Sequence, residues 1–441
     1  MNQGLVYTWI PERGSSGKGR AVQENVQLER LKARKDGDTG LHGRFVHVVN
    51  AGIIYEPDPS GGDPLEVPLG DARPDDNGDF LFEPGRGGGR IDKVVVADIG
   101  LRRRYVEASH FGEVNSYYHI DRVAAYVDSL LGDLGAPSLP PVGVLVNAHH
   151  AATGRDGIRD GVRRTRRWVP FQGGHYRLPA PRGRSRIPPP VIPGHDEPPD
   201  AFRAYGIVEH DPVHPDGEIH LGPGWKLLHH GALVECAGGA YRANASHNAG
   251  ILYHEYGHHL TRHTADFCAN ALRPREQQIN AKTALDEGTC DYLAAAMMQT
   301  PHIWALHRRH DDQYVHDRSL SSGVTMSSFD ADPRADQHRN GTIWAASLWD
   351  LRVHLAGEAS DAARDIDRMV VLALILIGRL RGSEEPPRAT ILRRARRDFG
   401  TALQCLLEAD GALYSGRHHD SILRVFAHRG ITVHQVVNTG S

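Results

Sequence analysis

The stretch His254-Glu255-Tyr256-Gly257-His258 constrains this chain more than any other. Residues four apart on an α-helix lie one turn above each other, so a helix here aims His254 and His258 from one face at a single metal ion. Glu255, beside them, is then a candidate base. The flanking residues support a helix. Asn244 or Ser246 can cap its start, and Leu252, Tyr256 and Leu260 recur at helical spacing on the side away from the histidines. Gly257 lowers the intrinsic stability of such a helix by about 1 kcal/mol relative to alanine, so we expect it to permit close approach of another segment.

Because the chain contains 28 histidines, the pattern needs independent support. A catalytic zinc ion takes three protein ligands and keeps a fourth position for water. The segment Ala284 to Met297 offers the third ligand. Glu287 and Asp291 are again four apart, which lets Glu287 reach the metal while Asp291 orients a ligand histidine by accepting its other ring N–H. A zinc site of purely structural use has no need of Glu255, so the set favours a hydrolase. The alternative is a domain that binds metal without turnover and serves as a binding protein.

Together these residues resemble the gluzincin metallopeptidases. Asp336-Gln-His338-Arg-Asn340-Gly341-Thr-Ile-Trp344-Ala345 is similar to the segment of thermolysin-like and fungalysin-like enzymes that carries a transition-state histidine and then enters a helix. Ala395 to Asp398, Leu406 to Asp410, Tyr414 to Gly416 and Phe426 to Ile431 are similar to the closing helices of fungalysins. Val114 to Tyr118 and Val142 to Asn147 resemble the opening of that catalytic domain, so the likeness spans roughly residues 105 to 435.

The resemblance implies an α+β, two-lobed zincin catalytic domain. Residues 101–270 would form a lobe with a mostly antiparallel sheet ending in the active helix, and 271–441 a mainly helical lobe. It further implies one catalytic Zn2+ on His254, His258 and Glu287, with Glu255 as general base and His338 as the donor to the oxyanion. Asp336 would hold the His338 ring charged. Substrates would be proteins or peptides cut at internal bonds, received in extended form by an edge strand at Ile219, His220 and Leu221. The chain departs from the thermolysin-like pattern in having no tyrosine between residues 259 and 286. His338 then acts alone, or a tyrosine from elsewhere, such as Tyr314, fills in.

The remaining sequence frames this domain. With 51 Lys plus Arg against 54 Asp plus Glu, nothing asks for a nucleic-acid partner. Residues 1–40 read as an arm with a mixed-charge, helix-like run from Val22 to Lys35. Residues 41–100 alternate short apolar runs with turn clusters, the pattern of a small antiparallel β-rich module. Residues 155–200 are rich in arginine and then proline, which favours an exposed loop. The apolar run Met369 to Gly378 is too short to span a bilayer and reads as a buried helix, so no membrane anchor is implied. The four cysteines are widely spaced with no Cys-x-x-Cys pair, which argues against a cysteine zinc site. No Asp-rich calcium loop is evident. The first residues carry no signal-peptide pattern, whereas the resemblance is to secreted enzymes. The sequence leaves the oligomeric state open.

Overall fold

In a computed structural model, the structure describes residues 2–11, 19–32, 40–56, 59–60, 65–84, 99–151, 174–177, 207–209, 214–222, 226–229, 232–235, 244–267, 278–303, 318–357, 362–379 and 398–433. Tyr314 and most of the Arg/Pro-rich stretch lie outside them. The chain divides into two units. One comprises Met1–Ala124, Pro140–Tyr256 and Trp304–Val315, the other Ala125–Leu139, Gly257–Ile303 and His316–Ser441. Among the described residues are 13 strands and seven α-helices, a mixed composition compatible with an α+β zincin domain.

The first unit holds the strands. β1 (Gln3–Pro11) and β2 (Gly19–Gln27) form a hairpin in which Gln3 pairs with Gln27 and Pro11 with Gly19. The run from Val22 is therefore a strand up to Gln27 and not the expected helix. Its backbone groups are taken by β1, a pairing that helical patterning within the run cannot report. Five further strands build one sheet: β3 (Leu41–His42), β4 (Val46–Asn50), β7 (Val142–Val146), β9 (Gly174–Arg177) and β11 (Glu218–Leu221), in the order β3-β4-β7-β11-β9. The rest form two-stranded ribbons. β5 (Ile53–Glu56) pairs with β6 (Leu65–Pro68), β8 (His149–Ala151) with β10 (Ile207–Glu209), and β12 (Lys226–His229) with β13 (Ala232–Glu235).

Two expectations change here. The sheet is mixed, not mostly antiparallel: β4, β7 and β11 run parallel, and β3 and β9 are antiparallel to their neighbours. The physical reason lies in β7 and β11, which are buried along their whole length, as suits parallel strands covered on both faces. Secondly, β3 and β4, from the segment read as a small antiparallel β-rich module, join this same sheet through the parallel pairing of β4 with β7.

Helix α1 (Ile99–Asp133) buries Phe111, Val114, Tyr117, Ile120 and Val123 at helical spacing. It also fastens the hairpin. Asn115 Oδ1 accepts the Tyr7 N–H at 2.9 Å, and Asn115 Nδ2 donates to the Ser246 carbonyl at 2.7 Å. The division between the units falls inside α1 and inside α2 (Ala249–His263).

The second unit is helical. α3 (Asn280–Met298) packs on α4 (Gln337–Ala356), and α5 (Ala362–Arg379), α6 (Phe399–Tyr414) and α7 (His419–His428) complete the group. The apolar run from Met369 lies in α5 with Met369, Val370, Val371, Ala373, Leu374 and Ile377 buried, as expected. No helix among the described residues is long and apolar enough to cross a membrane.

Candidate active site

The helix that carries the His-Glu-x-x-His residues is started by two asparagines. Asn244 Oδ1 accepts the Ser246 N–H at 3.0 Å in a short 3-10 turn, and Asn248 Oδ1 then accepts the Gly250 N–H at 2.9 Å. Leu252, Tyr256 and Leu260 are buried, leaving His254 and His258 one turn apart on α2. His254 and Glu255 are buried, and the His258 side chain is 15 % exposed.

Glu287 and His338 are brought together by a helix crossing that has no room for side chains. A Cβ at Gly288 would stand 2.3 Å from the Gly341 carbonyl oxygen, and one at Gly341 would stand 2.8 Å from the Gly288 nitrogen. The backbones of α3 and α4 therefore touch. Glu287 sits immediately before one glycine and His338 three residues before the other, so the two side chains meet. Glu287 Oε2 lies 3.3 Å from His338 Nε2 and 3.7 Å from His258 Nε2.

Asp336 serves two partners. Its Oδ1 accepts the backbone N–H of His338 at 3.0 Å, capping α4, and lies 3.3 Å from His338 Nδ1. The bond with His338 holds the Asp336 carboxyl down at about 2. The expected contact between these two residues is thus present.

The surroundings of His258 contain a residue that sequence reasoning missed. Asp286 Oδ1 lies 3.2 Å from His258 Nδ1 and accepts the Thr261 hydroxyl at 2.5 Å. Cys290 Sγ is 3.4 Å from the same ring nitrogen. Burial pushes the Cys290 thiol well above its ordinary pKa, so the sulfur stays protonated. His258, Asp286 and Cys290 present ligand-type atoms within 4.8 Å of one another. The signal for Asp286 was the adjacent acid pair Asp286-Glu287. Neighbours on a helix project about 100° apart, so one ring inserted between them meets one carboxylate at each nitrogen. Asp291, expected to orient a ligand histidine, is fully buried and takes the Arg318 guanidinium, Nε to Oδ2 at 3.2 Å.

The chain matches the fungalysin metallopeptidase family, M36, over residues 234–435. That stretch is a fungalysin-like zinc metallopeptidase domain. No curated protein matches the chain. The fungalysin-like domain takes in α2, α3 and α4 and therefore all of the histidines and carboxylates described above. It is a hydrolase of a zinc metalloendopeptidase family, acting on proteins or peptides. Residues 105–233, part of the wider likeness in the sequence, lie outside the match.

The side chains of the fungalysin-like domain fit the metal that its family uses. Imidazole nitrogens and a carboxylate are zinc donors, and Glu255 Oε2 is buried with no hydrogen-bond partner among the described residues, a position that a water at such a centre would satisfy.

One substrate assignment is corrected. β11 is not an edge strand: β7 and β9 flank it, with Ile219 paired to Val144 and Tyr176, and Leu221 to Val146 and Gly174. His220 is instead fully buried and bonded at 2.8 Å to Glu218. Ile219, His220 and Leu221 have their main-chain ladder taken on both sides, so they cannot receive a peptide as an added strand. Among the described residues the sheet ends at β9, whose Gly174 lies against Glu255: a Cβ there would stand 2.8 Å from Glu255 Cγ.

Proposed function

We propose that the protein hydrolyses internal peptide bonds with a zinc ion held by His254, His258 and Glu287, and with Glu255 as general base. The reading includes the two-lobed arrangement of thermolysin-like and fungalysin-like enzymes, over residues 101–270 and 271–441. Glu255 is the observation that carries it. A metal site kept for structure has no use for this carboxylate, yet its Oε2 is buried and unpartnered among the described residues, beside the histidines on the same helix.

Bound zinc would supply Lewis acidity that activates water near neutral pH. Glu255 takes the proton of the attacking water and passes it to the leaving amine. His338 donates from Nε2 to the oxygen that gains charge, and Asp336 at Nδ1 keeps the imidazole in the donating form. The substrate main chain adds to the sheet at β9, beside Gly174 and Glu255.

The test compares zinc content and casein cleavage in the wild type and in Glu255→Gln. The variant is expected to keep one zinc and lose nearly all turnover. Zinc binding without cleavage in both proteins favours a metal-binding domain without turnover, and a wild type that holds no zinc overturns the site.

A further inference from the structure

The ring of His258 is gripped at both ends. Nε2 faces Glu287 at 3.7 Å, whereas Nδ1 faces Asp286 Oδ1 at 3.2 Å with Cys290 Sγ at 3.4 Å. A neutral imidazole carries its proton on one nitrogen only, and the partner of that nitrogen decides which one it is. A carboxylate accepts far better than a thiol sulfur, so the proton belongs on Nδ1, donated to Asp286. Nε2, on the side of Glu287, is then the nitrogen that a metal would take.

Asp286 is itself held. Thr261, on the same helix as His258, donates to the same Oδ1 at 2.5 Å, so the carboxylate is held to α2 by this bond as well as by its 3.2 Å contact with His258 Nδ1. The side chain is nearly buried, and a buried carboxylate without a partner would be costly. Close packing adds to the constraint. Gly257 lets Cys290 sit against α2, with its Cα 2.7 Å from where a Cβ would stand, and this brings the Asp286 turn of α3 up to the ring.

We infer that Asp286 is the positioning residue of His258, fixing its tautomer and ring orientation through Nδ1 so that Nε2 alone is offered to a metal. The inference rests on the proposed zinc site. It also sets aside the other use of the same side chains, in which His258 Nδ1, Asp286 and Cys290 hold the ion themselves.

Zinc dissociation constants, measured by chelator competition on the full-length protein, test it in the wild type, Asp286→Asn, Asp286→Ala and Cys290→Ser. Partners of this kind contribute about 10- to 100-fold to metal affinity. The expected order is wild type tightest, Asp286→Asn weaker by about tenfold, and Asp286→Ala weaker by up to about a hundredfold, with Cys290→Ser close to wild type. A residue that only supports the fold would instead lower the unfolding midpoint of the metal-free protein and leave the zinc affinity of the folded fraction unchanged. A folded Asp286→Ala with wild-type affinity overturns the inference; if that variant does not fold, an unchanged affinity in Asp286→Asn does so. Loss of zinc in Cys290→Ser as large as in Asp286→Ala also overturns it, by moving the ion to Nδ1. A wild type without zinc is a different failure, that of the proposed site as a whole.

Discussion

Gly257 and Cys290 are in backbone contact: a Cβ on the glycine would lie 2.7 Å from Cys290 Cα and 2.8 Å from its Cβ and Sγ. This is the close approach that the glycine implied in the sequence. Gly257→Ala gains about 1 kcal/mol of helix propensity but must push α2 and α3 apart, and overpacking of this kind costs about 1–3 kcal/mol or more. The clash is with backbone as well as side chain, so it wins. We expect a net loss of stability, read as a lower urea midpoint, together with weaker zinc binding because His258 and Asp286 separate.

His338 stands 3.3 Å from both Glu287 and Asp336. Removing one donor to a developing oxyanion lowers kcat by about 10²- to 10³-fold, and His338→Ala is expected to fall in that range with KM little changed and zinc retained. Asp336→Asn keeps an acceptor for the helix cap but loses the charge beside Nδ1, and should give a smaller drop. Steady-state kinetics on one peptide substrate separate the two. A His338→Ala enzyme with wild-type kcat would remove this residue from the mechanism.

Acid should destabilise the first unit through two buried histidines. His119 is held neutral between the Tyr253 hydroxyl at 2.7 Å and the Tyr7 carbonyl at 2.8 Å, and burial lowers its pKa to about 3. His247, bonded to the Ala108 carbonyl, is lowered by burial to about 4. The unfolded chain binds these protons near 6.5 and the folded one does not, so the stability they allow is present above 6.5 and declines as the pH falls toward 4. The expected slope is about 1.4 kcal/mol per pH unit for each histidine. Urea titrations of the chelated protein across this range measure it. His119→Phe should flatten the slope, and an unchanged slope would assign it to other groups.

In the second unit, Asp367 collects three partners. Tyr292 and Arg352 donate to its Oδ1 at 2.6 Å each, and the Tyr126 hydroxyl donates to Oδ2. Arg352 is largely buried, and its guanidinium would be stranded in Asp367→Ala. Breaking a buried pair from one side costs about 3–5 kcal/mol, whereas Tyr126→Phe removes one hydrogen bond and should cost about 1 kcal/mol. Chemical unfolding curves distinguish these. Equal effects from the two variants would contradict the network.

What the sequence disclosed followed from periodicity. His254 and His258 share a helix because four residues make one turn, and the apolar run from Met369 is a buried helix because its length allows nothing else. Glu287 and His338 were legible as residue types, but their meeting depends on Gly288 and Gly341 touching across two helices, which neither segment reveals alone. That β11 is not an edge has no local signal, because strand patterning reports burial and not neighbours; its second neighbour, β9, comes from within the Arg/Pro-rich stretch. β4 joins β7 in parallel across a long intervening segment, a pairing with no local signal. Asp286 is not legible from a four-residue spacing, because the ring of His258 selects the acid next to Glu287.

The hydrogen bonds of Asn115 set a limit on how far the protein can be trimmed. Through this side chain, Tyr7 on the first strand is connected to Ser246, two residues before the cap of the helix that bears His254. Val6 and Leu28 are buried in the same unit. A fragment cut to begin near residue 41 would keep every proposed zinc ligand and still lose the partner of Asn115, the carbonyl that His119 bonds, and part of the apolar packing around α1. The opening hairpin is therefore a foundation for the entrance to the active helix, and its removal would be felt where that helix begins.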